Sequence, residues 1–263
     1  MLSLFTRKKE KPEWGDYYSG HIKGWQCNKL LEYPNLLHLF TSKYHDFNLG
    51  KHAPTIFPEK SVEKNRELLC KTFNLNYKNL LTLPLKHTNN VLILDENDPE
   101  ISDCDAVITK FTNVPILITA ADCVPIILYS DEKKVLGLIH AGWKGTAGKI
   151  VEKTVSAMLE NYMVRPSQII AAIGPAIGQK HYEVDEDVAK QIIDATESED
   201  ILNKTGKKPR IDLKLANKIQ LENMGVGEIY MSELDTASDR NLFYSHRIQG
   251  KRAGRQGLVA CLV

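Results

Sequence analysis

The sequence has no long apolar run, no excess of charge of either sign, and no cysteine pattern that could staple a small secreted fold. Each absence closes a class of function. No stretch reaches the roughly 18 consecutive apolar residues that a membrane-spanning helix needs, so no membrane partner is expected. A net charge of +1 over 263 residues supplies no broad field for nucleic acid, whose binding rests on neutralised phosphates. The cysteines Cys27, Cys70, Cys104, Cys123 and Cys261 are odd in number and contain no C-x-x-C pair. That argues against a disulfide framework and for a reducing compartment. The opening segment MLSLFTRKKEKPEWGDYYSG carries its positive charges after a very short apolar stretch, the reverse of a signal peptide. The expected location is cytoplasmic, with the charged run Arg7 to Lys11 solvated and mobile. No linker composition and no internal repeat divides the chain. The expected organisation is a flexible segment over 1–20 and one domain over 21–263.

What is present is ordinary globular material. Hydrophobic residues make up 43% and charged residues 25%, as in a soluble protein with a sizeable core. Runs rich in Ile, Val and Leu at Val91 to Leu94, Pro115 to Ala120, Val124 to Tyr129 and Val135 to Ile139 predict strands covered on both faces. Further strands are expected at Gln168 to Ile173, Glu228 to Ser232 and Leu258 to Val263. Helical spacing marks Ser61 to Leu75 with Ser61 as N-cap, Thr146 to Tyr162, Asp185 to Ala195, and a helix capped by Asp212 that closes at Met224-Gly225. Ser198 to Arg210 reads as a polar loop. Strands mixed with helices along the whole length predict an α+β (layered α/β) fold, with mixed β-sheets packed against helices.

Within this pattern Cys123 starts one apolar strand and His140 ends the next. A thiol and an imidazole in these places have three explanations: packing, a nucleophile with its base, or two ligands of a metal. The turn that follows, Ala141-Gly142-Trp143-Lys144-Gly145-Thr146, puts two glycines and a helix start beside the histidine. Glycines let a ligand approach the backbone, Lys144 adds a cation, and Trp143 offers a flat ring. Asp122 has two readings: a carboxylate that orients a histidine or moves a proton, or a turn residue that caps the break between strands.

At these residues the sequence resembles the YfiH-type family, also called laccase-domain, polyphenol-oxidase-like or purine nucleoside phosphorylase proteins. The resemblance runs from Phe47-Asn48-Leu49-Gly50 to Val263. It is carried by Ala121-Asp122-Cys123-Val124-Pro125, His140-Ala141-Gly142-Trp143, and Ile173-Gly174-Pro175 followed by Tyr182-Glu183-Val184. Asn65-Arg66, the stretch Ser102 to Thr109, and Gly254-Arg255 are weaker matches. The resemblance implies a zinc ion held by one Cys and two His, which would be Cys123, His140 and His87. His87 stands in Leu85-Lys86-His87-Thr88 where the family has Gln-x-His-Gly. A thiolate and two imidazoles would leave a fourth zinc position open, the mark of a catalytic site, and the same donors also suit copper.

The activity the resemblance implies is phosphorolysis of adenosine, inosine or methylthioadenosine, and deamination of adenosine. Cys123, His140 and Asp122 are the expected catalytic groups. Phosphate and purine would meet Arg66, Trp143, Lys144, Arg247 and Arg255. The partners are then a small nucleoside and phosphate; no protein partner is readable. The sequence departs from the family where Lys144 replaces Arg, where Ile248 replaces one Arg of a Phe-Ser-Tyr-Arg-Arg stretch, and where Asp235-Thr236 replaces Cys-Thr. A cysteine hydrolase, a copper-dependent phenol oxidase and a non-enzymatic metal protein remain the competing readings.

Overall fold

The computed structural model describes residues 12–50, 56, 58–95 and 102–263. The run Arg7 to Lys11 lies outside the described residues. The first strands are β1 (Trp14–Ser19), β2 (Ile22–Cys27), β3 (Leu36–Thr41), β4 (Leu81–Thr82), β5 (Val91–Leu94), β6 (Ala106–Thr109) and β7 (Ile116–Ala120). They are followed by β8 (Val124–Ser130), β9 (Val135–Ala141), β10 (Ile170–Ile173), β11 (Leu202–Asn203), β12 (Arg210–Ile211), β13 (Glu228–Met231) and β14 (Gln256–Leu262). The α-helices are α1 (Glu59–Thr72), α2 (Trp143–Ala147), α3 (Ile150–Tyr162), α4 (Glu186–Thr196), α5 (Leu213–Asn223) and α6 (His246–Gln249). One six-stranded sheet has the order β1-β2-β3-β14-β7-β4, the other β13-β10-β8-β9-β6-β5, and β11 pairs with β12.

The apolar runs explain why the sheets stack. Every residue of β8 and β9 is buried. Along β8, Val124, Ile126 and Leu128 join the core formed with α3, α4 and α5, while Ile127 and Tyr129 join the core shared with the other sheet. Successive strand side chains point to opposite faces, so β8 and its partner β9 need cover on both. The first sheet supplies Phe40, Ile116, Ile118 and Leu258 to the shared core. Its outer face, with Leu39, Leu117 and Val259, is covered by Leu69 of α1. The result is a helix–sheet–sheet–helix stack with mixed sheets, in agreement with the α+β expectation. Among the described residues no helix is long and apolar enough to cross a membrane.

Several boundaries differ from the sequence reading. Trp14–Ser19 pairs with β2 over its full length, so this part of segment 1–20 belongs to a sheet. Strands β1 and β2 carry no strand signal of that kind, because WGDYYS and IKGWQC mix aromatic, charged and glycine residues rather than forming a Val/Ile run. Helix α1 begins behind Pro58, whose φ of −58° suits a helix start, and Ser61 lies inside the first turn instead of capping it. The single helix expected from Thr146 is two, broken where Lys149 adopts φ 59°. The cap at Asp212 is present: its carboxylate accepts from the Leu215 N–H at 2.9 Å, and Gly225 closes the helix at φ 77°. The polar loop expected at Ser198 to Arg210 contains β11 and the start of β12.

Candidate metal centre

Strands β7 and β8 belong to different sheets, so the chain must cross between layers at Ala121-Asp122-Cys123. The crossing is sharp. Asp122 takes φ 91°, a left-handed conformation that costs a non-glycine residue energy and persists only where contacts enforce it. Those contacts are on view. The Asp122 carbonyl accepts from the Ile177 N–H at 3.0 Å. One carboxylate oxygen accepts from the Thr236 hydroxyl and the other from the Arg247 backbone N–H, both at 2.7 Å. Cys123 therefore emerges at the mouth between the sheets, immediately before β8. His140 faces Pro125 in the β8–β9 ladder, and by alternation it follows Leu136 and Leu138 on the inter-sheet face.

The third member arrives on a loop. His87 lies between β4 and β5, is exposed, and has φ 60°. What fixes it is Asp105, a fully buried residue just before β6. The Asp105 carboxylate accepts from the backbone N–H groups of Lys86 (3.2 Å), His87 (3.0 Å) and Thr88 (2.7 Å), and from the Thr88 hydroxyl (2.9 Å). It also meets His140 Nδ1 at 2.8 Å, while the Asp105 carbonyl accepts from the His140 N–H at 2.7 Å. Burial works against the charge on Asp105, but the hydrogen bonds from His140 and Thr88 outweigh it and hold its pKa at about 2. An ionised Asp105 accepts the Nδ1 proton of His140, so Nε2 is the ring nitrogen a metal would take; burial opposes a charge on the metal-free ring, but Cys123 and Asp105 outweigh it and raise its pKa to about 9.

One donor atom each from His87, Cys123 and His140 lies within 4.8 Å of the others. Cys123 Sγ is 3.8 Å from His87 Nε2, and the imidazole centroids are 5.1 Å apart with planes at 77°. Burial raises the cost of a thiolate at Cys123, yet the adjoining imidazoles of His140 and His87 reverse the balance and lower its pKa. Gly142 keeps the space open: a Cβ there would stand 2.9 Å from the His87 ring and 3.1 Å from Cys123 Sγ. A thiolate, two imidazoles, and a buried carboxylate behind one of them fit a zinc or copper ion held by three protein donors. Among the described residues this is the group of three or more such donors that converges.

The structure sorts the remaining expected site residues. Asp122 does not orient a histidine; that task falls to Asp105, because both Asp122 carboxylate oxygens are engaged by Thr236 and Arg247. The side chain of Arg247 donates to the His181 carbonyl at 2.9 Å and lies 5.2 Å from the Tyr182 ring centroid. Arg255 donates to the Ala253 and Gly254 carbonyls. Burial lowers the pKa of its guanidinium, and the negative charges of Cys123 and Asp122 oppose that shift, so it shares their neighbourhood. Arg66 is buried and gives Nε and Nη2 to the Leu49 carbonyl at 2.9 and 2.7 Å. It braces the Asn48–Gly50 turn on which Arg255 rests, since the Arg255 N–H donates to Asn48 Oδ1 at 2.7 Å. Trp143 and Lys144 face elsewhere. They line a depression of about 590 Å³ closed by Gln191, Asp194 and Ala195 of α4, and none of the three metal donors borders it.

Sequence reasoning gave no role to Asp105 or Asp235, and left His181 and Tyr182 in a stretch that either walls the cleft or is a plain loop. Asp105 did carry a signal: a carboxylate sits directly before the apolar run Ala106-Val107-Ile108, and a charge entering a buried strand needs a partner. Asp235 gave none, because His181 and Gly178 lie 54 and 57 residues away in sequence.

Comparison with known proteins gives this geometry a family. A family model described as multi-copper polyphenol oxidoreductase laccase matches residues 39–263. A purine nucleoside phosphorylase of Deinococcus radiodurans is 35% identical over 238 residues, covering 88% of this chain and 91% of that protein. Purine nucleoside phosphorylase YlmD of Bacillus subtilis is 32% identical over 225 residues, covering 81% of this chain and 80% of that protein. Among solved structures, YlmD from Geobacillus stearothermophilus superposes with a TM-score of 0.84 at 27% identity, covering 94% of this chain and 99% of that one. The hypothetical protein YfiH of Bacillus licheniformis reaches the same TM-score at 25% identity, covering 93% and 97%. The chain belongs to this YfiH-type, laccase-like family.

Proposed function

We propose that the protein is a zinc-dependent purine nucleoside phosphorylase acting on adenosine, inosine and methylthioadenosine, with adenosine deaminase activity at the same centre. The observation that carries this reading is the converging trio His87, Cys123 and His140, which leaves one side of a tetrahedral ion for water or substrate. The names of the Deinococcus radiodurans and Bacillus subtilis relatives support the substrate class.

When bound, the ion would supply Lewis acidity and a water acidic enough to attack at neutral pH. The protein's own part begins with Asp105, which holds His140 in one tautomer and fixes the backbone of His87. Arg247 and Arg255 are the cations best placed to take phosphate, each with a guanidinium already steadied by main-chain carbonyls. Asp122 ties the Arg247 backbone to the residue next to Cys123, and so fixes the distance between anion and centre. Lys144 borders the depression against α4, so its departure from the family's Arg leaves the phosphate role in this reading to Arg247 and Arg255.

A second reading, a cysteine hydrolase with His140 as base, draws support from the lowered pKa of Cys123. One experiment separates the two. Metal-quantified protein is incubated with adenosine, with and without phosphate, and adenine, inosine and hypoxanthine are resolved by chromatography. Phosphate-dependent adenine, lost on chelation, is the expected result, together with phosphate-independent inosine from deamination. Activity that survives complete removal of metal would favour the hydrolase. Copper in the purified protein together with oxygen consumption on phenols would favour the oxidase named by the family model.

A further inference from the structure

Beyond the metal donors, a second imidazole–carboxylate pair closes a ring of contacts around the same mouth. His181 Nδ1 lies 3.0 Å from Asp235 Oδ2. Asp235 is held in turn by the N–H groups of Gly178 and Ala237, both at 2.9 Å, and by the Ser238 hydroxyl at 2.8 Å. Burial opposes the charge on Asp235, but the Gly178 N–H and Ser238 hydroxyl lead the bonds that bring its pKa to about 2. The fit is made for an aspartate: a Cβ on Gly178 would stand 2.6 Å from Asp235 Oδ2. From Asp235 the ring continues to its neighbour Thr236, whose hydroxyl reaches Asp122, and from Asp122 to the Arg247 N–H. It closes where Arg247 Nη1 donates back to the His181 carbonyl. Asp122 borders Cys123, and the charges of Cys123 and Asp122 are both felt at Tyr182, the residue after His181.

An ionised Asp235 accepts the Nδ1 proton and so fixes the tautomer of His181. Nε2 then carries a lone pair, has no protein partner among the described residues, and sits on a side chain that is 23% exposed. Such an atom takes an O–H donor. We propose that His181, set by Asp235, is a substrate-contacting hydrogen-bond acceptor of this site, with its Nε2 receiving a hydroxyl of the ribose or of the phosphate. The inference rests on the nucleoside phosphorylase reading above and adds to it a residue that recognises a hydroxyl.

The test uses calorimetric titration of the purified, metal-loaded full chain with inosine alone, which is turned over by neither proposed reaction in the absence of phosphate, and with inorganic phosphate alone. The informative variant is His181→Asn, which keeps a donor near Asp235 but loses the distal acceptor; thermal melting checks that it folds as the wild type does. Loss of a hydrogen bond to a hydroxyl is expected to raise one dissociation constant about tenfold, with metal content unchanged. A rise for inosine assigns the ribose; a rise for phosphate assigns the phosphate. Asp235→Cys is expected to weaken the same ligand, because it frees the tautomer. Unchanged affinity of His181→Asn for both ligands overturns the proposal while leaving the functional reading intact. A wild type that binds neither ligand overturns both.

Discussion

The two sides of the candidate metal centre are built in opposite ways. Cys123 and His140 flank a ladder whose strands are buried on both faces, and His140 itself is 3% exposed. His87 is exposed, sits on a loop and adopts a left-handed backbone. The sheet places two donors as a by-product of packing. The third is placed by a single buried carboxylate, which reaches across from Asp105 to gather three consecutive N–H groups and the opposing imidazole. A centre of this kind can be emptied from either side, with different consequences for the fold.

The largest effect is expected where the two sides meet. Asp105→Ala strands the N–H groups of the 86–88 loop and releases His140. It should lower metal affinity by 10-fold to 100-fold or more, about the range found for partners behind metal ligands, and destabilise the fold by roughly 3 kcal/mol; metal stoichiometry and thermal melting read both. Splitting the sides sharpens the comparison. His140→Ala should lose the metal and about 2 kcal/mol or more of stability, since it empties a packed position. His87→Ala should lose the metal while the metal-free protein melts within roughly 0.5 kcal/mol of metal-free wild type. Equal destabilisation by the two would contradict the division drawn here.

Gly142→Ala probes the gap between the sides. Its added methyl would press on both His87 and Cys123, so weaker metal retention is expected in dialysis against chelator, with a modest change in melting temperature. The smallest effect lies away from the centre. His38 is buried in β3, accepts from the Cys27 N–H through Nε2, and leaves Nδ1 without a partner among the described residues. Burial lowers its pKa to about 4. The unfolded chain, with an ordinary histidine pKa near 6.5, then binds the proton more readily than the folded one. Stability from this residue is present above pH about 6.5 and is lost as pH falls towards about 4. Urea titrations of metal-free protein across that window should show a flatter pH dependence in His38→Gln than in wild type.

Much of this was legible beforehand, and the reason is periodicity. The apolar runs of β8 and β9 announce strands covered on both sides, and their ends locate Cys123 and His140. His87 came only through the family resemblance, because a loop histidine 36 residues from Cys123 has no local pattern to mark it. Asp105 stood in the sequence beside an apolar strand, but its five partners come from segments that meet only after folding. Trp143 and Lys144 show the opposite error. They follow His140 closely in sequence, yet the start of α2 turns them towards α4. The helix break at Lys149 was hidden because the apolar spacing continues across it while the backbone does not.

The central claim is that one ion is held by one sulfur and two imidazoles. X-ray absorption at the metal edge of the purified protein tests it most directly. The account predicts one sulfur at about 2.3 Å and two histidine nitrogens at about 2.0–2.1 Å if the ion is zinc, plus one light atom from water. A spectrum without sulfur, or one with two or more sulfurs, would contradict it.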